Sequence, residues 1–374
     1  MVRRADRPSH LGDLYHGRVA KVDKALDAAF VELGLARPGL LPLSEGPGRR
    51  LSEGDAVVVR VLREAAGGKG LRLSARIIDP PLDLEQRARD SRPPALLARG
   101  DDPLERLLAA GAPPDEIVVD DPALHAEIAA RLGGGEEARG RLSLDLEPKS
   151  LFEREGLEAE IEALLEPRVA LPSGGHLLIE PVRTLTAIDV NSGRHDGRGG
   201  AGEQALAVDL EAAAEIPRQL RLRALSGLIV VDFLALEQER ARRQVAAALR
   251  AGLKGDPEPT RVFPMAPSGL LEMTRRRGRP ALHELLTVPC GIGGGGRVKD
   301  PATLAFEALR AARAEAAARP GAAITVTAGP AVIAALETGP AAAARRALDD
   351  RLGRPLALAA AAAPPGEPAE IVLE

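Results

Sequence analysis

Two aspartates, each delivered at the end of an apolar run, carry the clearest chemical potential in the chain. In Leu185-Thr186-Ala187-Ile188-Asp189-Val190-Asn191-Ser192-Gly193-Arg194 a strand-like segment ends in acid and amide side chains, because an unpaired carboxylate is costly inside a sheet. Gly227-Leu228-Ile229-Val230-Val231-Asp232-Phe233 repeats that pattern. Between them, Glu203 to Ala224 reads as one long helix with Leu206, Leu210, Ala213 and Leu220 at helical spacing, and Pro217 predicts a kink. Strand, helix, strand is a crossover unit, which places two parallel strands in one sheet with both ends at the same edge. As neighbours, Asp189 and Asp232 would stand about 5 Å apart in backbone terms. Carboxylates that close share a cation or a proton, or repel, and an oxygen ligand set suits Mg²⁺ or Mn²⁺. Spacing alone leaves two readings open, a metal site and a pair of ordinary strand-terminating aspartates.

The elements that must position this pair belong to a larger molecule. A length of 374 residues gives room for two or three domains with their own cores. No apolar run is long enough to span a bilayer, and the basic start Met1-Val2-Arg3-Arg4 lacks the apolar segment of a signal peptide. A cytoplasmic protein with no membrane association is expected. The single cysteine, Cys290, rules out an internal disulfide and a Cys-rich zinc site within one chain. A net charge of −4 does not advertise a nucleic-acid binder. Arg218, Arg221 and Arg223, and again Arg275, Arg276, Arg277 and Arg279, form basic clusters, which read either as solvated faces or as phosphate contacts.

From Gly12 to Arg76 short apolar runs alternate with glycine turns, giving the five strands of a small closed barrel. The succession Gly17-Arg18-Val19, Ala28-Ala29-Phe30-Val31-Glu32-Leu33-Gly34, Gly39-Leu40-Leu41-Pro42-Leu43-Ser44-Glu45, Gly54-Asp55-Ala56-Val57-Val58-Val59 and Leu73-Ser74-Ala75-Arg76 resembles an S1 RNA-binding domain of the OB type. That resemblance implies single-strand binding on one face, with Phe30 as a stacking aromatic and Lys69 as a basic contact. Leu40 stands where the pattern has a second aromatic, which implies weaker binding. A core role for Phe30 is the alternative.

The Pro- and Arg-rich segment 79–97 reads as a linker. Glu116 to Asp120 reads as a strand, Pro122 to Leu132 as a short amphipathic helix, about Leu151 to Leu165 as a further helix, and Arg168 to Glu180 as a hairpin turning at Ser173-Gly174-Gly175. Beyond Cys290, a helix at about Thr303 to Ala318, a strand at Ala323 to Thr327 and an Ala-rich helical stretch to Arg351 complete the chain.

Leu171-Pro172-Ser173-Gly174-Gly175, the Leu185 to Arg194 stretch, Leu210-Glu211-Ala212-Ala213, Arg218-Gln219-Leu220-Arg221-Leu222-Arg223, Gly227 to Phe233 and Gly269-Leu270-Leu271-Glu272-Met273-Thr274-Arg275 follow the barrel in order. Together they resemble the catalytic core of the ribonuclease E/G family. The resemblance implies a multidomain α/β protein: an S1 barrel over 11–78, the linker at 79–97, a shortened RNase H-like subdomain over 98–170, a DNase I-like catalytic subdomain over 171–287, a degenerate zinc-link over 288–299 and a small C-terminal domain over 300–374. It implies a Mg²⁺-dependent endoribonuclease acting on single-stranded RNA and leaving 5′-phosphate ends. Asp189 and Asp232 match the metal-binding carboxylates, Asn191 the residue that orients the site, and Arg194, Arg221 and Arg275 are candidates for holding phosphates, with structural ion pairs as the alternative. His195 is expected to be a bystander. A catalytically weak RNA-binding or assembly protein that kept the core is the rival reading.

The family's domain that senses the 5′-monophosphate is expected to be absent, since the barrel leads into a linker instead. One thiol at Cys290 cannot supply half of a four-thiolate zinc-link, so no structural zinc is expected, and a homodimer would rest on apolar contacts.

Overall fold

A computed structural model describes residues 9–48, 50–64, 70–77, 81, 83–100, 114–132, 141–147, 149–182, 184–193, 200–291 and 296–373. Five N-terminal strands form a closed barrel: β1 (Leu14–Asp23), β2 (Ala28–Glu32), β3 (Gly39–Pro42), β4 (Ala56–Arg63) and β5 (Arg72–Ser74). The order β2-β3-β5-β4-β1 closes through a β1–β2 pairing. Period-two alternation sends Val19, Val31, Leu41, Val57, Val59, Val61 and Leu73 inward. Gly39 is required where β3 crosses β5, since a Cβ there would lie 2.6 Å from Leu73 Cδ1.

The segment expected to be a plain linker is not one. It holds α1 (Leu84–Asp90) and β6 (Ala95–Ala98), and β6 pairs antiparallel with β1 as a sixth strand. Leu84 and Leu97 bury against Leu14, so two leucines outweigh a Pro-rich composition that on its own signals an open chain. Gly100 N–H then donates to Asp13 Oδ1 at 2.6 Å, tying the segment's end to the barrel floor.

Next come β7 (Ile117–Val119), α2 (Pro122–Arg131) and β8 (Leu142–Leu144), with β7 and β8 parallel. Asp121 caps α2 by accepting from Leu124 N–H at 2.9 Å. The single helix expected from Leu151 is two, α3 (Leu151–Arg154) and α4 (Leu157–Ala163), because Gly156 adopts φ 70 between them.

The central sheet contains β9 (Arg168–Ala170), β10 (His176–Pro181), β11 (Thr186–Asn191), β12 (Gly227–Asp232), β13 (Thr260–Val262) and β14 (Leu270–Arg275), in the order β13-β14-β12-β11-β10-β9. It starts at Arg168, three residues before the expected subdomain boundary. Only β11 and β12 run parallel, joined by α5 (Ala201–Leu222), and α6 (Glu239–Gly252) packs beside α5. One face of the sheet carries Leu177, Ile179, Ile188, Val190, Ile229, Val231, Leu271 and Met273 into a core with Val208, Ile216, Leu220, Val245 and Leu249 of the helices. Each such side chain contributes about 1.5–3 kcal/mol on burial, which pins the parity of every strand. The opposite face stays open, with Leu228 and Leu270 at 40% and 42% exposure. Pro217 lies within α5, against Gly252, where a Cβ would come 2.8 Å from its Cγ.

After α7 (Leu282–Leu286), a hairpin of β15 (Thr287–Pro289) and β16 (Arg297–Lys299) precedes the C-terminal unit. That unit comprises α8 (Pro301–Ala318), β17 (Ile324–Ala328), α9 (Pro330–Glu337), α10 (Gly339–Leu352), β18 (Ala357–Ala360) and β19 (Glu370–Leu373), with its own core around Leu304, Val326 and Leu336. Among the described residues no helix is long and apolar enough to cross a membrane.

Candidate active site

The alternation that buries Ile188 and Val190 of β11 sends Asp189 and Asn191 to the open face, and burial of Ile229 and Val231 does the same for Asp232. The parallel register pairs Asp189 directly with Asp232, so their Cα atoms are a strand spacing apart, about 4.8 Å. Both side chains are exposed. Asn191 Nδ2 donates to Asp189 Oδ2 at 2.7 Å, which fixes one carboxylate oxygen and leaves the other to a ligand. The Asp232 carboxylate has no hydrogen-bond or ion-pair partner among the described residues. Leu178 and Leu270 continue the row on either side of the pair. Because α5 returns antiparallel to β11, its N-terminal end, with a partial positive charge, is at the same sheet edge as the aspartates.

Under that edge sits Asp209 of α5, fully buried. Its Oδ1 accepts from Leu234 N–H at 3.0 Å, two residues beyond Asp232, and its Oδ2 has no partner among the described residues. Burial pushes its carboxyl up to about 7, against the pull of the Leu234 bond.

Among the described residues no group of three or more His, Cys, Asp or Glu side chains gathers as a metal cluster. The donors at the strand ends are two carboxylates and an amide. Mg²⁺ keeps several of its waters and is commonly held by one or two carboxylates, so the donor set fits that ion without a third acid. Cys290 lies half-buried at the end of β15, its N–H donating to Gly296 O.

Phe30 points to the outside of the barrel, half-buried, while Ala29 and Val31 beside it are core. It stands in a row with Lys21, Leu40 and Arg72 on neighbouring strands. The alternative of a core Phe30 is therefore not what the barrel adopts. Lys69 and Arg194 lie outside the described residues, as does His195.

Arg275 is a correction. Strand parity puts it on the buried face at 6% exposure, where Nε and Nη2 make a bidentate pair with Asp256 at 2.9 and 2.8 Å and Nη1 donates to Leu225 O. Burial alone would raise the Asp256 carboxyl, but these bonds outweigh it and hold it low. The guanidinium is a structural cross-link, not a phosphate contact. Arg221 is also displaced: it ends α5, at the sheet edge opposite the aspartates, and donates to Gly252 O at 3.2 Å.

Several further residues carry no signal in a one-dimensional reading. Arg168 joins the Asp189 row through Leu178, and in the barrel Lys21 pairs with Phe30 and Arg72 with Leu40; each emerges only once register is known. His176 pairs with Asn191, and its Nδ1 is buried without a partner among the described residues. Asp209 was detectable, because its spacing to Ala212, Ala213 and Ile216 puts it on the buried stripe of α5.

Residues 52–278 match the model of the ribonuclease E/G family. The chain is 31% identical to ribonuclease E of Nostoc sp. over 76% of its own length and 54% of that protein. It is 27% identical to ribonuclease G of Haemophilus influenzae, with 83% of this chain and 81% of that one covered. Over 47% of its length it is 36% identical to a chloroplastic ribonuclease E/G-like protein of Arabidopsis thaliana, covering 18% of the latter. The chain spans about half the length of the first ribonuclease E relatives it matches.

Proposed function

The chain belongs to the ribonuclease E/G family, and from that membership we propose that it is a metal-dependent endoribonuclease that hydrolyses single-stranded RNA to leave 5′-phosphate ends. The observation that carries this reading is the direct register of Asp189 with Asp232 on the open face of parallel strands. A Mg²⁺ held by the two carboxylates would polarise the scissile phosphate and lower the pKa of an attacking water. Asn191 keeps the Asp189 carboxylate in one orientation, and Leu178 and Leu270 give the row apolar flanks. The N-terminal barrel, of S1/OB type in this reading, holds the strand on its Lys21–Phe30–Leu40–Arg72 row by stacking and backbone charge.

Incubation of the protein with a fluorescent single-stranded RNA, in Mg²⁺ and in EDTA, tests the proposal. Cleavage only with Mg²⁺, giving downstream fragments that a 5′-phosphate-dependent exonuclease degrades, is the expected result. Absence of cleavage, or products that resist that exonuclease, would reject it.

Two further results are expected. Phe30→Ala should weaken single-stranded RNA binding about 5- to 100-fold, the range of one lost stacking partner, without unfolding the barrel, since Phe30 lies outside its core. Fluorescence anisotropy with a short oligonucleotide reads the first effect, circular dichroism the second. We further propose that cleavage proceeds without 5′-end sensing, so that kcat/KM for 5′-monophosphorylated and 5′-triphosphorylated RNA of one sequence should agree within about five-fold, ~1 kcal/mol. A large preference for the monophosphate in matched assays would show a sensor.

A further inference from the structure

Arg261 and Phe263 form a cation–π pair with no role in the reading above: the guanidinium carbon lies 4.8 Å from the ring centroid. Arg261 is in register with Thr274. Phe263 N–H donates to Glu272 O at 3.0 Å, which continues the β13–β14 pairing by one residue. Thr274 and Glu272 point to the open face of the sheet, opposite to Met273 and Arg275. Arg261 and Phe263 therefore stand on the same face as Asp189 and Asp232. Phe263 is two strands across and two residues along from Asp232, ~12 Å in backbone terms.

The chain has five phenylalanines, one tyrosine and no tryptophan, so where each ring is placed matters. Phe233 is core and Phe306 packs on the C-terminal core. Phe152 belongs to α3 and Phe30 to the barrel. Phe263 is half-buried, and Arg261 above it is exposed, with no carboxylate partner among the described residues. A guanidinium held over a ring offers its outer plane and its charge to solvent. Unstacked RNA bases settle on such planes, and the charge attracts the backbone. Glu272, facing the same side in register with Phe263, disfavours a phosphate directly over the ring and leaves the base as the group that fits.

We propose that Arg261 and Phe263 form a base-stacking subsite that seats a nucleotide flanking the scissile phosphate. The proposal rests on the single-stranded RNA reading, and its test separates the two. Binding of a fluorescent single-stranded RNA is measured by anisotropy in the Asp189→Asn background, and cleavage in the wild-type background, for Arg261→Ala, Arg261→Lys and Phe263→Leu, the last keeping an apolar side chain. Arg261→Ala and Phe263→Leu should raise Kd and KM about 5- to 100-fold with kcat little changed. Arg261→Lys, which keeps the charge and loses the plane, should recover only a minor part of the affinity lost in Arg261→Ala. One abasic position in the RNA should cost the parent protein the same factor and cost Arg261→Ala nothing more. Unchanged Kd and KM in Arg261→Ala and Phe263→Leu, or full rescue by Arg261→Lys, would overturn the subsite while leaving a working ribonuclease. RNA binding by none of the proteins would overturn both.

Discussion

Asp189→Asn is expected to lower kcat for RNA cleavage about 10³-fold, the kinetic equivalent of ~4 kcal/mol, with no loss of stability. The substitution keeps the size of the side chain and an oxygen that can accept the Asn191 amide hydrogen, so the strand end keeps its local bond. What it removes is one of two anionic ligands. It also removes a like-charge neighbour for Asp232, since the two residues are in direct register on adjacent strands, and at ~5 Å in a solvated setting that repulsion is ~0.8 kcal/mol. Thermal unfolding should therefore show the variant as stable as the parent or slightly more so. Asp232→Asn should behave alike. The double variant should fall little below either single one, because two ligands of one ion act as a unit. The Mg²⁺ concentration for half-maximal rate should rise in each single variant. Parent-like cleavage by Asp189→Asn would mean that the pair is only two strand ends, the alternative that spacing left open.

How much of this site was legible in one dimension depended on whether parity or partnership decided the outcome. The meeting of Asp189 with Asp232 follows from apolar alternation and the crossover rule, both local signals with a fixed geometric consequence. Arg275 shows the limit. Its parity with Leu271 and Met273 put it on the core face, but a buried guanidinium needs a carboxylate, and Asp256, 19 residues away in sequence, gives no sign of being that partner. Arg221 was misplaced for a topological reason: a helix that crosses the sheet carries its two ends to opposite edges, and a cluster at its C-terminal end cannot serve strands that finish at the other. The linker failed because proline content describes a chain without tertiary contacts, whereas Leu84 and Leu97 find Leu14. The barrel was read strand by strand, yet the row Lys21–Phe30–Leu40–Arg72 needed a register that short strands with a bulge near Lys21 do not announce.

Asp209→Asn should lower the stability of the catalytic sheet and its helices modestly in acid and raise it above the parent's at neutral and alkaline pH. The carboxyl is held at about 7 in the folded protein, chiefly by burial, against an ordinary value of 3.8. The native state therefore keeps a proton that the unfolded chain releases. With the folded value raised, the contribution of this group is fully present below pH ~4, declines as pH rises, and is lost once pH passes ~7. Over that window the loss amounts to about 4 kcal/mol, from ~3 pK units at 1.36 kcal/mol each. An asparagine keeps an oxygen for Leu234 N–H but has no charge to bury. Its amide group does leave donors without partners, a cost of about 1–3 kcal/mol at every pH, so the informative quantity is the change with pH and not the offset. Asp256 runs the other way, its paired carboxyl favouring the fold as pH rises above the range where it protonates, but it is common to both proteins and cancels in the difference. Because the chain has several cores, hydrogen exchange of α5 amides, corrected for intrinsic rates, reports on this unit better than a global melt. Between pH 4 and pH 8 the opening free energy of Asp209→Asn relative to the parent should rise by about 3–4 kcal/mol. A difference independent of pH would mean that the Asp209 charge is matched in the native state, and the buried, half-bonded carboxyl would then not be the feature that makes this edge of the sheet pH-sensitive.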